Sequence, residues 1–211
     1  MMGPDKGPRF PTVIMLELYL IRPGATPFDE EGRIKGNLDL PLSETGWAQA
    51  RHLADQLIGE QLETLYVAPT EAAEQTARCI AEKCRCRSRT LPLLENLDFG
   101  LWQGRMISEV RRTQPRVYRL FQESPETVCP PGGETVASAI ERAHKALQYI
   151  GRKHRSGRIG VIASLPFGAL VRAVVRGEAI GDLWQSELDF GTFEKMKVES
   201  TPGKNYELLE A

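Results

Sequence analysis

Leu16-Glu17-Leu18-Tyr19-Leu20-Ile21-Arg22-Pro23-Gly24 decides the fold: an apolar run breaks abruptly into arginine, proline and glycine. The run is too short for a typical helix and is bounded by turn residues, so it reads as a buried strand whose carboxyl end opens into a loop. In parallel α/β sheets ligands bind at that end of the strands. A loop of about twenty residues follows, carrying Gly24, Pro27, Gly32, Gly36 and Pro41; long loops without elements of their own are usually functional.

Downstream, strands and helices alternate. Ser43 reads as an N-cap with Glu44 in the first turn, and Trp47, Ala50, Leu53 and Leu57 recur at helical spacing before Gly59. Thr64 to Val67 reads as a strand, Glu71 to Lys83 as a helix and Arg87 to Leu91 as a strand. Leu94 to Gly104 has no clean period. Ile107 to Phe121 is helical but interrupted by Pro115, which predicts two short helices. Pro130 to Thr135 is a turn and cap before a long helix in which Val136, Ile140, Ala143, Leu147 and Ile150 step by four and three residues. Arg158 to Ala163 is a strand, Ser164 to Gly168 a loop and Ala169 to Val175 a short helix. Phe193 to Val198 and Tyr206 to Leu209 suggest two final strands. This alternation implies a three-layer α/β/α sandwich with a central, mostly parallel sheet. No repeat or linker divides the chain, so residues 13–211 are expected to form a single domain behind a flexible tail over residues 1–12.

A formal charge of −1 gives no global reason to expect nucleic acid. Cys79, Cys84, Cys86 and Cys129 have neither zinc-ribbon nor thioredoxin spacing, which favours reduced structural thiols and no metal. The apolar run from Val13 to Ile21 is interrupted by Glu17 and is too short to span a bilayer. Met1 to Pro8 lacks the charged start and small-residue cleavage site of a signal peptide. A cytoplasmic protein without a membrane segment or cofactor is the expectation.

Four segments occur in a telling order: Arg22-Pro23-Gly24 followed by Gly32 to Gly36 and Asp39-Leu40-Pro41-Leu42-Ser43; Ala68-Pro69-Thr70-Glu71-Ala72-Ala73-Glu74-Gln75-Thr76-Ala77; Phe99-Gly100-Leu101-Trp102-Gln103-Gly104; and Pro131-Gly132-Gly133-Glu134-Thr135. Together they resemble the histidine phosphatase superfamily, the phosphoglycerate-mutase-like proteins, over about Leu16 to Val198. The resemblance implies that fold. It also implies a chemistry in which a neutral histidine attacks phosphorus, a second histidine and two arginines hold the oxygens, and a carboxylic acid protonates the leaving group.

Carried over residue by residue, that machinery is largely missing. Arg22 matches the first arginine, but the nucleophile's place after it holds Pro23. The second arginine aligns with Ala72, and a phosphate-binding asparagine aligns with Asp29, whose charge would repel phosphate. The acid aligns with Asn96, although Glu95 is adjacent and a one-residue slip would restore it. Counting back from Arg172 puts Phe167 at the second histidine; a two-residue shift puts Leu165 there. The only histidines, His52, His144 and His154, fall within or at the end of predicted helices, away from strand-end loops.

Removing a nucleophile commonly costs roughly four to six powers of ten in rate. Losing an arginine and a histidine takes a micromolar phosphate site to about millimolar or weaker. The sequence therefore points to a pseudophosphatase with a binding or regulatory role, its partner an anionic small molecule or a protein. Arg22, Gly24 and Thr26 are the anion-binding candidates, against a plain salt bridge from Arg22 to Asp29 or Glu95. The alternative is a phosphomonoester hydrolase working by a divergent mechanism around Arg22 and Glu95 or Asp29. Two basic clusters, Lys83-Arg85-Arg87-Arg89 and Arg111-Arg112-Arg116-Arg119, read first as solvated faces and lack the aromatic interleaving expected for single-stranded nucleic acid. Trp102 and Leu183-Trp184 are core or interface aromatics. The sequence assigns no oligomeric state.

Overall fold

A computed structural model describes residues 14–185 and 189–200. Within them five strands form one sheet: β1 (Ile14–Ile21), β2 (Thr64–Val67), β3 (Arg87–Thr90), β4 (Ser156–Ile162) and β5 (Phe193–Ser200), in the order β3-β2-β4-β1-β5. β1 lies parallel to β4 and antiparallel to β5, and β2 lies parallel to both β3 and β4. The helices are α1 (Pro27–Glu30), α2 (Glu44–Leu57), α3 (Glu71–Cys84), α4 (Ile107–Thr113), α5 (Pro115–Glu123), α6 (Val136–Lys153) and α7 (Phe167–Arg176).

The topology explains where a site must lie. The connections β1 to β2 and β2 to β3 step in one direction along the sheet and carry α2 and α3, which pack on each other. The connections β3 to β4 and β4 to β5 step the other way and carry α6 and α7, also packed together. Right-handed crossovers between the parallel strands therefore put α2 and α3 on one face and α6, with α7 packed on it, on the other. The winding reverses between the neighbours β1 and β4, so the crevice beyond their carboxyl ends is the switch point at which such sheets bind ligands.

The expected elements are present with small boundary changes. Ser43 caps α2, accepting from Gly46 N at 3.0 Å, and Thr135 caps α6, accepting from Ser138 N at 3.1 Å. Pro115 starts α5 after α4 ends at Thr113, the break expected of a residue without an N–H. Ala50, Leu53 and Leu57 of α2 and Val136, Ala143, Leu147 and Ile150 of α6 are buried. Trp102 is core, in an aromatic cluster with Phe99, Phe121 and Trp184. β3 is an edge strand whose four residues are all exposed, so Arg87 and Arg89 face solvent; the α4–α5 arginines are exposed as well.

One expectation changes. The loop after β1 is not structureless: Thr26 and Asp29 close a capping box around α1, with Asp29 Oδ2 accepting from Thr26 N at 2.8 Å and from Thr26 Oγ1 at 2.7 Å. The tail over residues 1–12 and the strand expected at Tyr206 to Leu209 lie outside the described residues.

Candidate functional site

At the switch point, residues after β1 and β4 line a cleft with two lobes. Both contain Arg22, Leu165, Leu183 and Gln185. The first lobe, about 120 Å³, adds Asp29, Arg33, Lys35, Phe99 and Trp184 among its walls. The second, about 180 Å³, runs between α7 and residues 178–185.

Arg22 is the hinge between the lobes. Its guanidinium carbon lies 3.4 Å from the centroid of the Phe190 ring, a close cation–π stack. Burial lowers its pKa to about 10, even though Asp29 and Asp189 pull it upward. Asp29 itself is taken up by Lys35, whose Nζ is 2.9 Å from Oδ2, with both side chains nearly buried at 10% and 13% exposure. Burial alone would raise the Asp29 carboxyl, but Lys35 and the hydrogen bonds from Thr26 outweigh it and hold the pKa below the ordinary value. The salt bridge expected between Arg22 and Asp29 is thus replaced by one from Lys35, a residue that the sequence reading did not single out.

The other anion-binding candidates are committed to the fold. Gly24 N donates to Thr76 Oγ1 at 3.2 Å. A side chain on Gly24 would meet Gly46 O at 2.3 Å, so this glycine serves the close approach of the loop to α2. Thr26 is fully buried and its hydroxyl is used within the α1 cap. Of the proposed anion-binding trio, Arg22 alone lines the cleft.

The residues that the sequence reading aligned with the family's catalytic groups are packed into the fold. Pro23 is buried and accepts from Gly191 N at 3.2 Å. Ala72 sits at the start of α3 in a small apolar cluster with Leu42 and Ala50, against which Trp47 packs. Asn96 is 2% exposed: its Nδ2 donates to Gly36 O and Leu165 O, both at 2.8 Å, and its Oδ1 accepts from Phe167 N at 3.1 Å. An amide fits here where a carboxylate does not, because two of its three partners are acceptors. Glu95 is exposed, and neither it nor Asn96 lines either lobe.

Phe167 requires a correction. The position counted back from Arg172 lies outside the cleft: the Phe167 ring is fully buried under the Arg142 guanidinium at 4.3 Å, and Leu165 lines the cleft wall. Leu165, the residue at the two-residue shift, is the one of the two that borders the cleft. Arg142 in turn pairs with Glu134 at 2.6 Å and donates to the carbonyls of Leu93, Glu95 and Asn96. Glu134 of the Gly132-Gly133-Glu134 segment thereby steadies the stretch that carries Asn96.

None of the three histidines lines either lobe. His52 is exposed on α2 beside Gln56, His144 is on α6, and His154 at the end of α6 shares a hydrogen bond with Tyr66 Oη at 2.9 Å. Among the described residues no group of His, Cys, Asp and Glu could hold a metal ion. No helix among them is long and apolar enough to cross a membrane.

A doubly wound sheet with an arginine at the end of its first strand and a cleft at the β1–β4 switch point defines the phosphoglycerate-mutase-like class. The model of the histidine phosphatase superfamily (branch 1) matches residues 18–209, and the chain belongs to that superfamily. It is 29% identical over 186 residues to phosphoserine phosphatase 1 of Hydrogenobacter thermophilus, covering 88% of each chain. It is 32% identical over 161 residues to phosphoglycerate mutase-like protein 4 of Arabidopsis thaliana, covering 75% of this chain and 69% of that one. Among solved structures, a mycobacterial glucosyl-3-phosphoglycerate phosphatase in complex with VO3 superposes with a TM-score of 0.79 at 18% identity, over 90% of this chain and 99% of that one. The phosphoserine phosphatase of Entamoeba histolytica, in complex with 3-phosphoglyceric acid, gives 0.75 at 20% identity, over 85% and 89%. At these identities the structures bear on the fold alone.

Proposed function

We propose that this member of the histidine phosphatase superfamily is a pseudophosphatase: it binds a small anion through Arg22 and passes no phosphoryl group through a histidine. The observation that supports the reading is that His52, His144 and His154 line neither lobe, while Pro23 and Phe167, or Leu165 by a two-residue shift, align with the family's two histidines. The missing groups reinforce one another. Pro23 has neither a nucleophile nor a backbone N–H, Ala72 brings no guanidinium, and Asn96 has no proton to give at the acid position. In this reading residues 13–211 work as one domain in the cytoplasm, where the four free thiols stay reduced. The anion, or a protein partner that presents one, is what the cleft retains the capacity to bind.

A second reading is favoured by the names of the relatives, phosphoserine phosphatase and phosphoglycerate mutase-like protein. It is a phosphomonoester hydrolase acting by a divergent mechanism around Arg22 and Glu95 or Asp29. Its weakness is the acid: Asp29 is tied to Lys35 and Thr26 and titrates low, which suits neither a general acid nor a base near neutral pH.

Steady-state hydrolysis of a panel of phosphomonoesters, run in parallel on the parent and Arg22→Ala, separates the two. Equal background rates support the pseudophosphatase. Turnover present in the parent and abolished in Arg22→Ala establishes the hydrolase.

A further inference from the structure

The surface of α4 and α5 carries a concentrated positive charge. Residues 105–123 hold five arginines, Arg105, Arg111, Arg112, Arg116 and Arg119, against two acids, Glu109 and Glu123. All five arginines are exposed, and among the described residues none of their side chains makes a hydrogen bond or an ion pair. By contrast, Arg33, Arg158 and Arg176 are paired with Glu31, Glu17 and Glu194. Arg111 is steadied over the Tyr118 ring, its guanidinium carbon 5.9 Å from the centroid, and Tyr118 stacks on Trp184 at 5.1 Å. Two grooves flank α5 and meet at Pro115 and Arg119. One is polar and includes Arg111, Tyr118 and Gln185; because Gln185 also lines both lobes of the Arg22 cleft, this groove opens beside the cleft mouth. The other is mostly apolar and follows Leu120, which is 37% exposed, with Arg116 and Glu123 beside it. The second basic run differs: Arg87 and Arg89 lie on the edge strand β3, where charge guards an open edge against pairing and calls for no ligand.

We propose that the α4–α5 face docks an acidic segment of a protein partner that carries an apolar residue among its carboxylates, the acids on Arg111, Arg116 and Arg119 and the apolar side chain on Pro115 and Leu120. Charge complementarity selects an acidic occupant, and a guanidinium fork matches a carboxylate. The apolar groove selects a peptide over inorganic polyphosphate: Leu120 offers a phosphate chain nothing, and Glu123 opposes an unbroken row of phosphates. Arginine and tyrosine are also the residues that protein interfaces concentrate. The face contains none of the residues to which the pseudophosphatase reading gives a role, so the proposal goes beyond that reading and the two fail separately.

Fluorescence anisotropy on the full chain tests it with a labelled synthetic peptide of repeated Glu-Glu-Leu. Glu-Glu-Ser and Lys-Lys-Leu peptides of the same length and inorganic polyphosphate are the comparators. The Glu-Glu-Leu peptide is expected to bind at low salt, to weaken as salt is raised, and to bind about fivefold or more tighter than the Glu-Glu-Ser peptide; the Lys-Lys-Leu peptide should not bind. The double variant Arg116→Gln, Arg119→Gln should weaken the Glu-Glu-Leu peptide by about fivefold or more. Arg87→Gln with Arg89→Gln, the same charge removed at β3, should change it by less than about twofold. Leu120→Ser should erase the preference for leucine over serine. If Leu120→Ser does not fold by circular dichroism, the leucine-to-serine exchange in the peptide, made against the parent protein, decides the same point. Absence of Glu-Glu-Leu binding at low salt, equal affinity for the leucine and serine peptides, or polyphosphate outcompeting the peptide at equal charge overturns the proposal. So does an affinity unchanged in the Arg116, Arg119 variant or lowered as much by the β3 variant. A dimer of the protein alone in sedimentation velocity, dissolved by Arg116→Gln with Arg119→Gln, places a second copy on this face and overturns it too.

Discussion

The Arg22 cleft and its surroundings hold the same fold together by different means. Around it, Pro23, Ala72, Asn96 and Leu165, which align with the family's catalytic positions, serve as packing and backbone ties: a buried ring, a methyl among Leu42 and Ala50, an amide bridging Gly36, Leu165 and Phe167, and, of the four, Leu165 alone in the cleft wall. Along the cleft walls, charge persists but in pairs, Asp29 with Lys35 and Arg33 with Glu31. On the proposed reading, catalytic groups have been exchanged for structural ones while the segments presenting them stay where the topology puts them. The packed side should then be intolerant of restored catalytic residues, and the charged side of losing one partner.

The largest effect should come from Asn96→Asp, which returns a carboxylate to the acid position. Its oxygens would face the carbonyls of Gly36 and Leu165 inside the protein, at an expected cost of about 3–5 kcal/mol in urea unfolding. A loss under about 1 kcal/mol would mean that the amide bridge is not what holds this side. Next, Lys35→Met should cost about 2–4 kcal/mol at neutral pH by leaving Asp29 buried without its cation. The pH dependence carries a sign. In the parent the folded Asp29 pKa is depressed, so its stabilisation is complete above its unfolded value of about 3.9 and is lost as pH falls through the folded value. In Lys35→Met the cation that opposes burial is gone, so the depression of that pKa should shrink and the loss of stability on acidification with it; parallel curves for the two proteins would contradict the pairing.

Ala72→Arg should cost about 1–3 kcal/mol by overfilling the cluster with Leu42 and Ala50, without improving phosphate affinity. A stable variant with tighter phosphate binding would show that the packed side is still an open site. Smallest, Ser43→Ala removes the α2 cap and the 2.6 Å hydrogen bond to Glu30, and should cost about 1 kcal/mol.

Much of this was legible in the sequence, because periodicity and turn chemistry are local. The run ending at Arg22, the Ser43 and Thr135 caps and the break at Pro115 all appear in the fold. The alignment of Pro23, Ala72 and Asn96 with the family's catalytic groups rests on the fixed motif spacings that surround them. What escaped depends on side-chain direction in irregular segments. Spacing from Arg172 favoured Phe167 over Leu165, but Phe167 turns into the core beneath Arg142 and Leu165 lines the cleft. Glu95 and Asn96 are neighbours with no period to say which faces in, and the tie of Arg142 to Glu134 that steadies them spans three segments. The Asp29–Lys35 pair forms only once the chain folds back around α1, so nothing in the local pattern of Gly32 to Gly36 announces it.

The central claim is most directly tested by rapid acid-free quenching of the protein with a reactive aryl phosphate, followed by intact mass and peptide analysis for a phosphohistidine. A superfamily member that carries histidine after the first arginine serves as the positive control. The account predicts a phosphoryl adduct on the control and none on this protein. A stoichiometric adduct that turns over, on His52, His144, His154 or any residue of the Arg22 cleft, would contradict it.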